Sequence, residues 1–336
     1  MSDKESNPSL PIRLMQPEDV PGVIALYQSV YGNDYPVKTV YDADYIAAQQ
    51  ENGDMIRAVC INENGRVVGM CALYKSCLSN PALYEGGQGI VLPEFRQGNI
   101  FERLVHYLYD QVSISMGLEQ IMGEAVCNHV ISQKVCIDSG CYETGIEMDL
   151  MPAASFVRER SSQGRVSTLL LFKTFKLKNQ VVYLPEIYQN EMRYLYSVYD
   201  FGHRFLLSQS PLPSAPTRGQ SELFADAGLA RFTITAAGSD LASYLVQQEE
   251  KALQQDTCIF QVYLDLTSPA VGAAVEILRQ HQYFLGGILP RWFDSDGLLM
   301  QKVTHRLDFD NIQLYTERAK KILALIKADY ESLTEY

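Results

Sequence analysis

The sequence predicts a mixed α/β protein of about two domains, and three observations carry that reading. Its 336 residues amount to two domains at roughly 150 residues each. Apolar residues make up 47 % and charged residues 20 %, the profile of a folded, soluble chain. Strand-like and helix-like hydrophobic periods alternate along it, with an antiparallel hairpin signal near the start. That combination predicts a central mixed sheet flanked by helices, with a second, smaller α/β domain after it.

Residues 12–15 form a short strand, and Pro17-Glu18-Asp19 opens a helix with proline and acids in its first turn. Val20, Val23, Ile24, Tyr27 and Val30 follow at helical spacing. Residues 55–61 and 67–74 read as strands joined by Asn62-Glu63-Asn64-Gly65, a hairpin signal. A strand over 84–92 contains Gly86, Gly87 and Gly89, which marks a bulge or a close backbone approach, or else a loose edge. The segment 93–99 is a turn, and 100–116 a helix with Ile100, Leu104, Leu108 and Val112 along one stripe. A strand over 120–126 leads through Cys127-Asn128-His129 into a short helix that Gly140 ends, and 142–151 reads as a hairpin or pair of strands.

The second half opens with a basic stretch over 158–178 that contains a strand at 166–172. Pro185 starts a helix to about Tyr199, with Tyr188, Met192, Leu195 and Tyr199 on one face. Residues 208–221, with Pro211, Pro213, Pro216 and Gly219, read as a loop or linker. Strands at 230–235, 259–266, 283–289 and 298–303 then alternate with helices at 241–253 and from Val271. The tail, 310–331, is a charged amphipathic helix with Ile312, Tyr315, Ala319, Ile322 and Ile326 inside. The second half thus repeats the strand–helix–strand–strand ending of the first. The division is 10–155, a connector over 156–222, and 223–336.

The chain holds 28 basic and 40 acidic side chains, a net charge of −12, which argues against a nucleic-acid or anionic-membrane binder. Residues 1–152 carry 9 Lys and Arg against 20 Asp and Glu. Such a half attracts a cationic substrate, and equally makes an ordinary solvated surface. The longest apolar runs are far below the ~18 residues of a membrane span, and residues 1–5 lack an apolar signal core. Seven cysteines without a Cys-x-x-Cys pair point to no disulfide framework, no metal site and a reducing cytoplasm.

Chemistry is concentrated in the turn Arg96-Gln97-Gly98-Asn99. A strand that turns tightly into a helix aims backbone N–H groups and the positive end of the helix dipole at one spot, which suits a diphosphate. Gly98 and Asn99 are residue types that tolerate the left-handed backbone such a nest needs. Many turns of this kind carry glycine and bind nothing.

With its opening strand and Glu18-Asp19, its run Val91-Leu92-Pro93-Glu94-Phe95-Arg96-Gln97-Gly98-Asn99-Ile100-Phe101, and the later Asn128, Gly140-Cys141 and Glu143-Thr144-Gly145, the segment 11–152 resembles the GNAT superfamily of acyl-CoA-dependent N-acyltransferases. The resemblance implies acetyl-CoA, or another acyl-CoA, as co-substrate. Its diphosphate would meet the N–H groups of Arg96, Gln97, Gly98, Asn99, Ile100 and Phe101, its pantetheine the backbone at Gly89 and Val91, and Asn128 would belong to the later binding motif. The chain departs from the family at Asn99 and Phe101, where the pattern has small residues. Cys136 stands where the family often has a general-acid tyrosine, and Cys141 where an aromatic follows the late glycine. The second half resembles a truncated unit of the same family without the turn, an arrangement of bacterial chains.

An amine nucleophile must lose a proton to attack. Glu85, Glu124 and His129 are the base candidates, and the Cys136 thiol the candidate acid toward the leaving thiolate. Each also has a plain structural reading: a solvated strand residue, a helix cap, a core cysteine. The leading reading is transfer of an acyl group to a primary amine of a small molecule or protein, carried out by a cytoplasmic monomer or homodimer. The alternatives are an acyl-CoA-binding regulatory sensor and a pure interaction scaffold. The second half would wall the acceptor pocket, through Trp292 and Phe293, or meet a regulatory protein partner.

Overall fold

The computed structural model describes residues 10–33, 35, 37–152 and 164–334. The chain divides into two units, Met1–Ser76 with Tyr84–Leu118, and Cys77–Leu83 with Glu119–Tyr336. Helices and strands alternate through both, so the α/β class expected from the sequence is the class observed.

In the first unit, β1 (Ile12–Leu14), β2 (Met55–Ile61), β3 (Val67–Lys75) and β4 (Tyr84–Val91) form an antiparallel meander in chain order. The β2–β3 hairpin closes because Asn62 Oδ1 accepts the N–H groups of Asn64 and Arg66, at 3.1 and 2.9 Å, and Gly65 takes φ +75° without steric cost. α1 (Val20–Tyr31) buries Val20, Val23, Leu26 and Tyr27, and Gly32 ends it at φ +62°. Ile24 and Val30, expected on that stripe, are only partly buried. α2 (Ala43–Glu51) escapes the sequence reading because Ile46 is its one buried side chain. The helix expected over 100–116 is α3 (Ile100–His106), a π-helical stretch Tyr107–Val112, and α4 (Ser113–Ser115) in succession.

The second unit contains β5 (Gln120–Val126), α5 (Ile131–Asp138), β6 (Tyr142–Met151) and β7 (Val166–Thr174). There follow β8 (Val181–Leu184), α6 (Gln189–Tyr196), β9 (Arg204–Leu207), β10 (Arg218–Phe224), β11 (Leu229–Ala236) and α7 (Leu241–Leu253). β12 (Ile259–Asp265), α8 (Val271–Gln280), β13 (Phe284–Leu289), β14 (Gly297–Val303) and α9 (Glu317–Thr334) complete it. The sheet order is β5-β7-β6-β13-β14-β12-β11-β10, and β8 and β9 form a separate parallel pair.

That order contains the same motif twice. In strand–helix–strand–strand, the last strand inserts between the first two: β7 between β5 and β6, β14 between β12 and β13. The repeats meet antiparallel at β6 and β13, about a pseudo-twofold where Gly145 faces Gly287. A Cβ on Gly145 would stand 2.5 Å from the Gly286 carbonyl oxygen, and one on Gly287 2.4 Å from the Gly145 Cα. Only glycine allows that approach. Both repeat helices close alike: the Cys141 N–H donates to Cys136 at 3.0 Å and the Tyr283 N–H to Leu278 at 2.9 Å. Each closure passes through a left-handed residue, Gly140 or Gln282. α9 packs on both β6 and β13, burying Ala319, Ile322 and Ile326.

Several sequence expectations need correction. Residues 142–151 are one strand, not two; Asp149 at φ +51° bulges it instead of turning it. α6 stops at Tyr196, leaving Tyr199 outside and exposed. The segment 208–221 is not all linker, since β10 begins at Arg218. The tail helix starts at Glu317, so Ile312 and Tyr315 precede it, and Tyr315 is exposed. Arg158 and the boundary at 155/156 lie outside the described residues.

Candidate active site

In the first unit the chemistry gathers where β4 turns into α3. β4 carries a bulge opposite the Met70-to-Ala72 stretch of β3, with Gln88 at φ +53°. The Tyr27 hydroxyl donates to Gln88 Oε1 at 2.6 Å, fixing the bulge from α1. The strand glycines mark close approaches: a Cβ on Gly86 would meet the Tyr109 hydroxyl, on Gly87 the Tyr74 hydroxyl, and on Gly89 the Phe101 ring at 2.3 Å. The π-helical stretch contributes Tyr109 to that cover.

Leu92 leads into a short 3-10 turn, Pro93–Phe95, after which Arg96, Gln97, Gly98 and Asn99 are exposed and Ile100 begins the helix. The first-turn N–H groups of α3 have no carbonyl partner earlier in the helix. Arg96 Nε donates to the Val91 carbonyl at 3.1 Å, tying the turn to the strand end. The left-handed backbone expected at Gly98 and Asn99 is absent: Gly98 is not among the positive-φ glycines, and Asn99 sits at φ 1°. Phe101 turns its half-buried ring onto exposed Gly89 instead of into the core. A groove of about 390 Å³ runs beside α3, from Asn99 past Glu102, Arg103 and His106 to Gln111. Glu85, half-buried on β4, accepts a hydrogen bond from the Tyr74 hydroxyl.

The second unit holds the other candidates. Glu124 is half-buried on β5. His129 Nδ1 accepts the Ile131 N–H at 3.3 Å, a capping role, and Asn128 precedes it. Cys136 is buried on α5. Trp292 is 3 % exposed, and it belongs to a polar cluster that the sequence reading missed.

That cluster centres on Arg231 of β11. Its Nε donates to Gln261 Oε1 at 3.0 Å, and its Nη2 lies 3.5 Å from Glu147 Oε1. The Glu147 carboxylate accepts hydrogen bonds from Gln261 Nε2 at 2.7 Å, from the Tyr263 hydroxyl at 3.4 Å and from the Thr168 hydroxyl at 3.0 Å. The guanidinium carbon lies 5.6, 5.1 and 5.8 Å from the ring centres of Phe224, Tyr263 and Trp292. Burial opposes its charge, but Tyr263, Glu147, Glu124 and Glu222 hold the group above its ordinary range. Glu222 is the cross-strand partner of Arg231, and Gln261 its neighbour on the other side. The available signal was a polar residue inside an apolar run: Arg231 in Leu229-Ala230-Arg231-Phe232, Gln261 in Ile259-Phe260-Gln261-Val262, Glu147 in Gly145-Ile146-Glu147-Met148.

No helix among the described residues is long and apolar enough to cross a membrane. No protein-family model and no curated protein matches the chain. Among solved structures, 50 % of the chain is similar to 89 % of a GNAT-superfamily phosphinothricin acetyltransferase from Sinorhizobium meliloti in complex with AcCoA, at 16 % identity and TM-score 0.41. A ribosomal-protein-alanine N-acetyltransferase from Brucella melitensis is similar at 17 % identity, over 49 % of this chain and 100 % of that one, with TM-score 0.40. For a ribosomal-protein-S5-alanine acetyltransferase from Vibrio fischeri the figures are 13 %, 48 %, 91 % and 0.40.

Proposed function

We propose that the protein is an acyl-CoA-dependent N-acyltransferase, with acetyl-CoA as donor and a primary amine as acceptor, working in the cytoplasm as a monomer or homodimer. The observation that carries this reading is the β4 bulge at Gln88 followed by the exposed turn into α3. A bulged strand interrupts its own pairing and presents unpaired backbone groups, and the helix start behind it favours a diphosphate. In the direct reaction, the amine nitrogen forms a C–N bond to the thioester carbonyl carbon. A strand N–H stabilises the resulting oxyanion. The C–S bond then breaks, CoA leaves as thiolate, and the ammonium proton passes to a base.

Glu85, Glu124 and His129 all stay base candidates; Glu85 accepts the Tyr74 hydroxyl and His129 Nδ1 accepts a backbone N–H. Cys136 is buried in its helix, which supports a packing role over that of an acid. The domain division 10–155, 156–222 and 223–336 stays part of the proposal, as does a regulatory protein partner for the second half. The rival reading, an acyl-CoA sensor with weak or lost turnover, is favoured by the Phe101 ring resting on Gly89.

Thermal unfolding with millimolar acetyl-CoA, against free CoA, tests binding. A ligand at 100 times its Kd adds about 2.7 kcal/mol, a shift of several degrees. No shift overturns both readings. A shift followed by thiol release with an amine panel supports the enzyme, and a shift without thiol release supports the sensor.

A further inference from the structure

The sheet of the second unit ends at β10, and that edge differs from the matching one in the first unit. In both units an antiparallel strand pair leads into a helix, β3–β4 into α3 and β10–β11 into α7. β3 has β2 on its other side. Among the described residues no strand covers the other side of β10. Such an edge presents a row of backbone N–H and C=O groups, and folded proteins ordinarily shorten it or blunt it with proline or lysine. β1, the edge strand of the first unit, has three residues. β10 has seven, with neither proline nor lysine among them. Leu223 and Phe224 are 38 % and 39 % exposed at its end. α7 lies over this strand, with the Ser221 hydroxyl donating to Gln248 at 3.0 Å. It shows Val246 and Leu253, two turns apart on one helix face, to solvent.

We propose that β10 pairs antiparallel with β10 of a second copy of this chain, in the register centred on Gln220. Side chains alternate between the faces of a strand, so Arg218, Gln220 and Glu222 share one face. In that register Arg218 stands opposite Glu222 of the second copy, and Glu222 opposite its Arg218. One opposite-charge pair is thus made twice. Centring on Ser221 loses both pairs, and centring on Glu222 sets two carboxylates face to face. Arg218 is exposed and, among the described residues, in no ion pair. Glu222 has Arg231 beside it on β11, but Arg231 gives Nε to Gln261 and turns Nη2 to Glu147. A second copy is the occupant because the edge complements itself; a foreign strand would have to supply the same two charges four residues apart. The twofold axis passes through Gln220 perpendicular to the sheet. Both α7 helices then lie on one face of the joined sheet, where Val246 and Leu253 add apolar area to the backbone pairing. This assignment stands apart from the acyltransferase reading.

Sedimentation velocity of the full-length protein, from about 1 to about 500 µM, tests the association, since a strand-edge interface is small and weak. The expected result is a rise from one copy toward two with concentration. Arg218→Glu sets a carboxylate opposite Glu222 twice and weakens association at least about tenfold. Combining Arg218→Glu with Glu222→Lys restores it to within about threefold, which a merely damaged fold would not do. If that double variant fails to fold, cross-linking decides. Under a mild oxidant Gln220→Cys forms a disulfide-linked dimer and Ser221→Cys forms much less. The parent protein, whose cysteines are buried or half-buried, sets the background. A monomer at every concentration overturns the proposal. So does a dimer that Arg218→Glu leaves intact, a folded double variant that stays dissociated, or a Gln220→Cys protein that cross-links no better than Ser221→Cys.

Discussion

Two of the strand-to-helix turns among the described residues, from β4 to α3 and from β11 to α7, treat their helix ends in opposite ways. Between β4 and α3, residues 96–99 are exposed and the nearest atom to a Cβ on Gly98 is 3.8 Å away. Between β11 and α7, Gly238 is buried, and a Cβ there would stand 1.9 Å from the Ala215 carbonyl oxygen. The proline-rich segment before β10 lies across this second turn: the Ser239 N–H donates to Pro213, and the Asp240 carboxylate accepts the Thr217 N–H at 2.6 Å. The chain has thus set its own carboxylate and backbone at the start of α7, the place where a bound anion would sit. Of these two turns, the first is the exposed one. What separates them is less the turn residues than the segment that does or does not cover them.

Glycine replacements sharpen this contrast most. Gly238→Ala should cost about 3 kcal/mol, because the clash is with backbone, whereas Gly98→Ala should change stability by less than about 1 kcal/mol. Denaturant unfolding of the two variants measures the difference, and similar losses would break the comparison. Next in size is catalysis: of Glu85→Gln, Glu124→Gln and His129→Ala, the replacement at the base should lower kcat by ~10²-fold or more, read as thiol release, and near-normal turnover in all three would remove these residues as the base. Phe101→Ala should tighten acetyl-CoA binding about tenfold by uncovering Gly89, at a stability cost of about 1–2 kcal/mol for a half-buried ring. Unchanged affinity in a folded Phe101→Ala protein would show that the ring does not obstruct the site.

The smallest effect concerns acid. Hydrogen bonding from Thr217 lowers the Asp240 carboxyl below its ordinary value. A group with a depressed folded pKa stabilises fully above its unfolded value, about 3.9, and loses that contribution as the pH falls. The gap in melting temperature between the protein and Asp240→Asn should therefore be widest above pH ~4.5 and close as acid is added. A gap constant down to pH 2 would mean that Thr217 does not favour the ionised form.

Local signals were legible in the sequence and long-range ones were not. Asn62 and Gly65 specify their hairpin through contacts within four residues, and the strand glycines 86, 87 and 89 announced close approaches that Tyr109, Tyr74 and Phe101 make. The helix at 241–253 and the strands of the second half followed from periodicity. α2 stayed hidden because one buried residue gives no period. Arg231 could be seen as a polar residue in an apolar run, but its meaning depends on Glu147, 84 positions away, and on rings from three further segments. The direction of the Phe101 ring likewise depended on the strand that its helix packs against.

The Gly145–Gly287 junction has a consequence of its own. Two separate copies joined about a twofold axis must change together, since each substitution appears on both sides of the interface. Here the two motifs share one polypeptide, and α9 spans their seam. Each has been free to drift alone: Cys136 in one corresponds to Leu278 in the other, and Cys141 to Tyr283. The chain keeps the architecture of a dimer without the obligation to be symmetric.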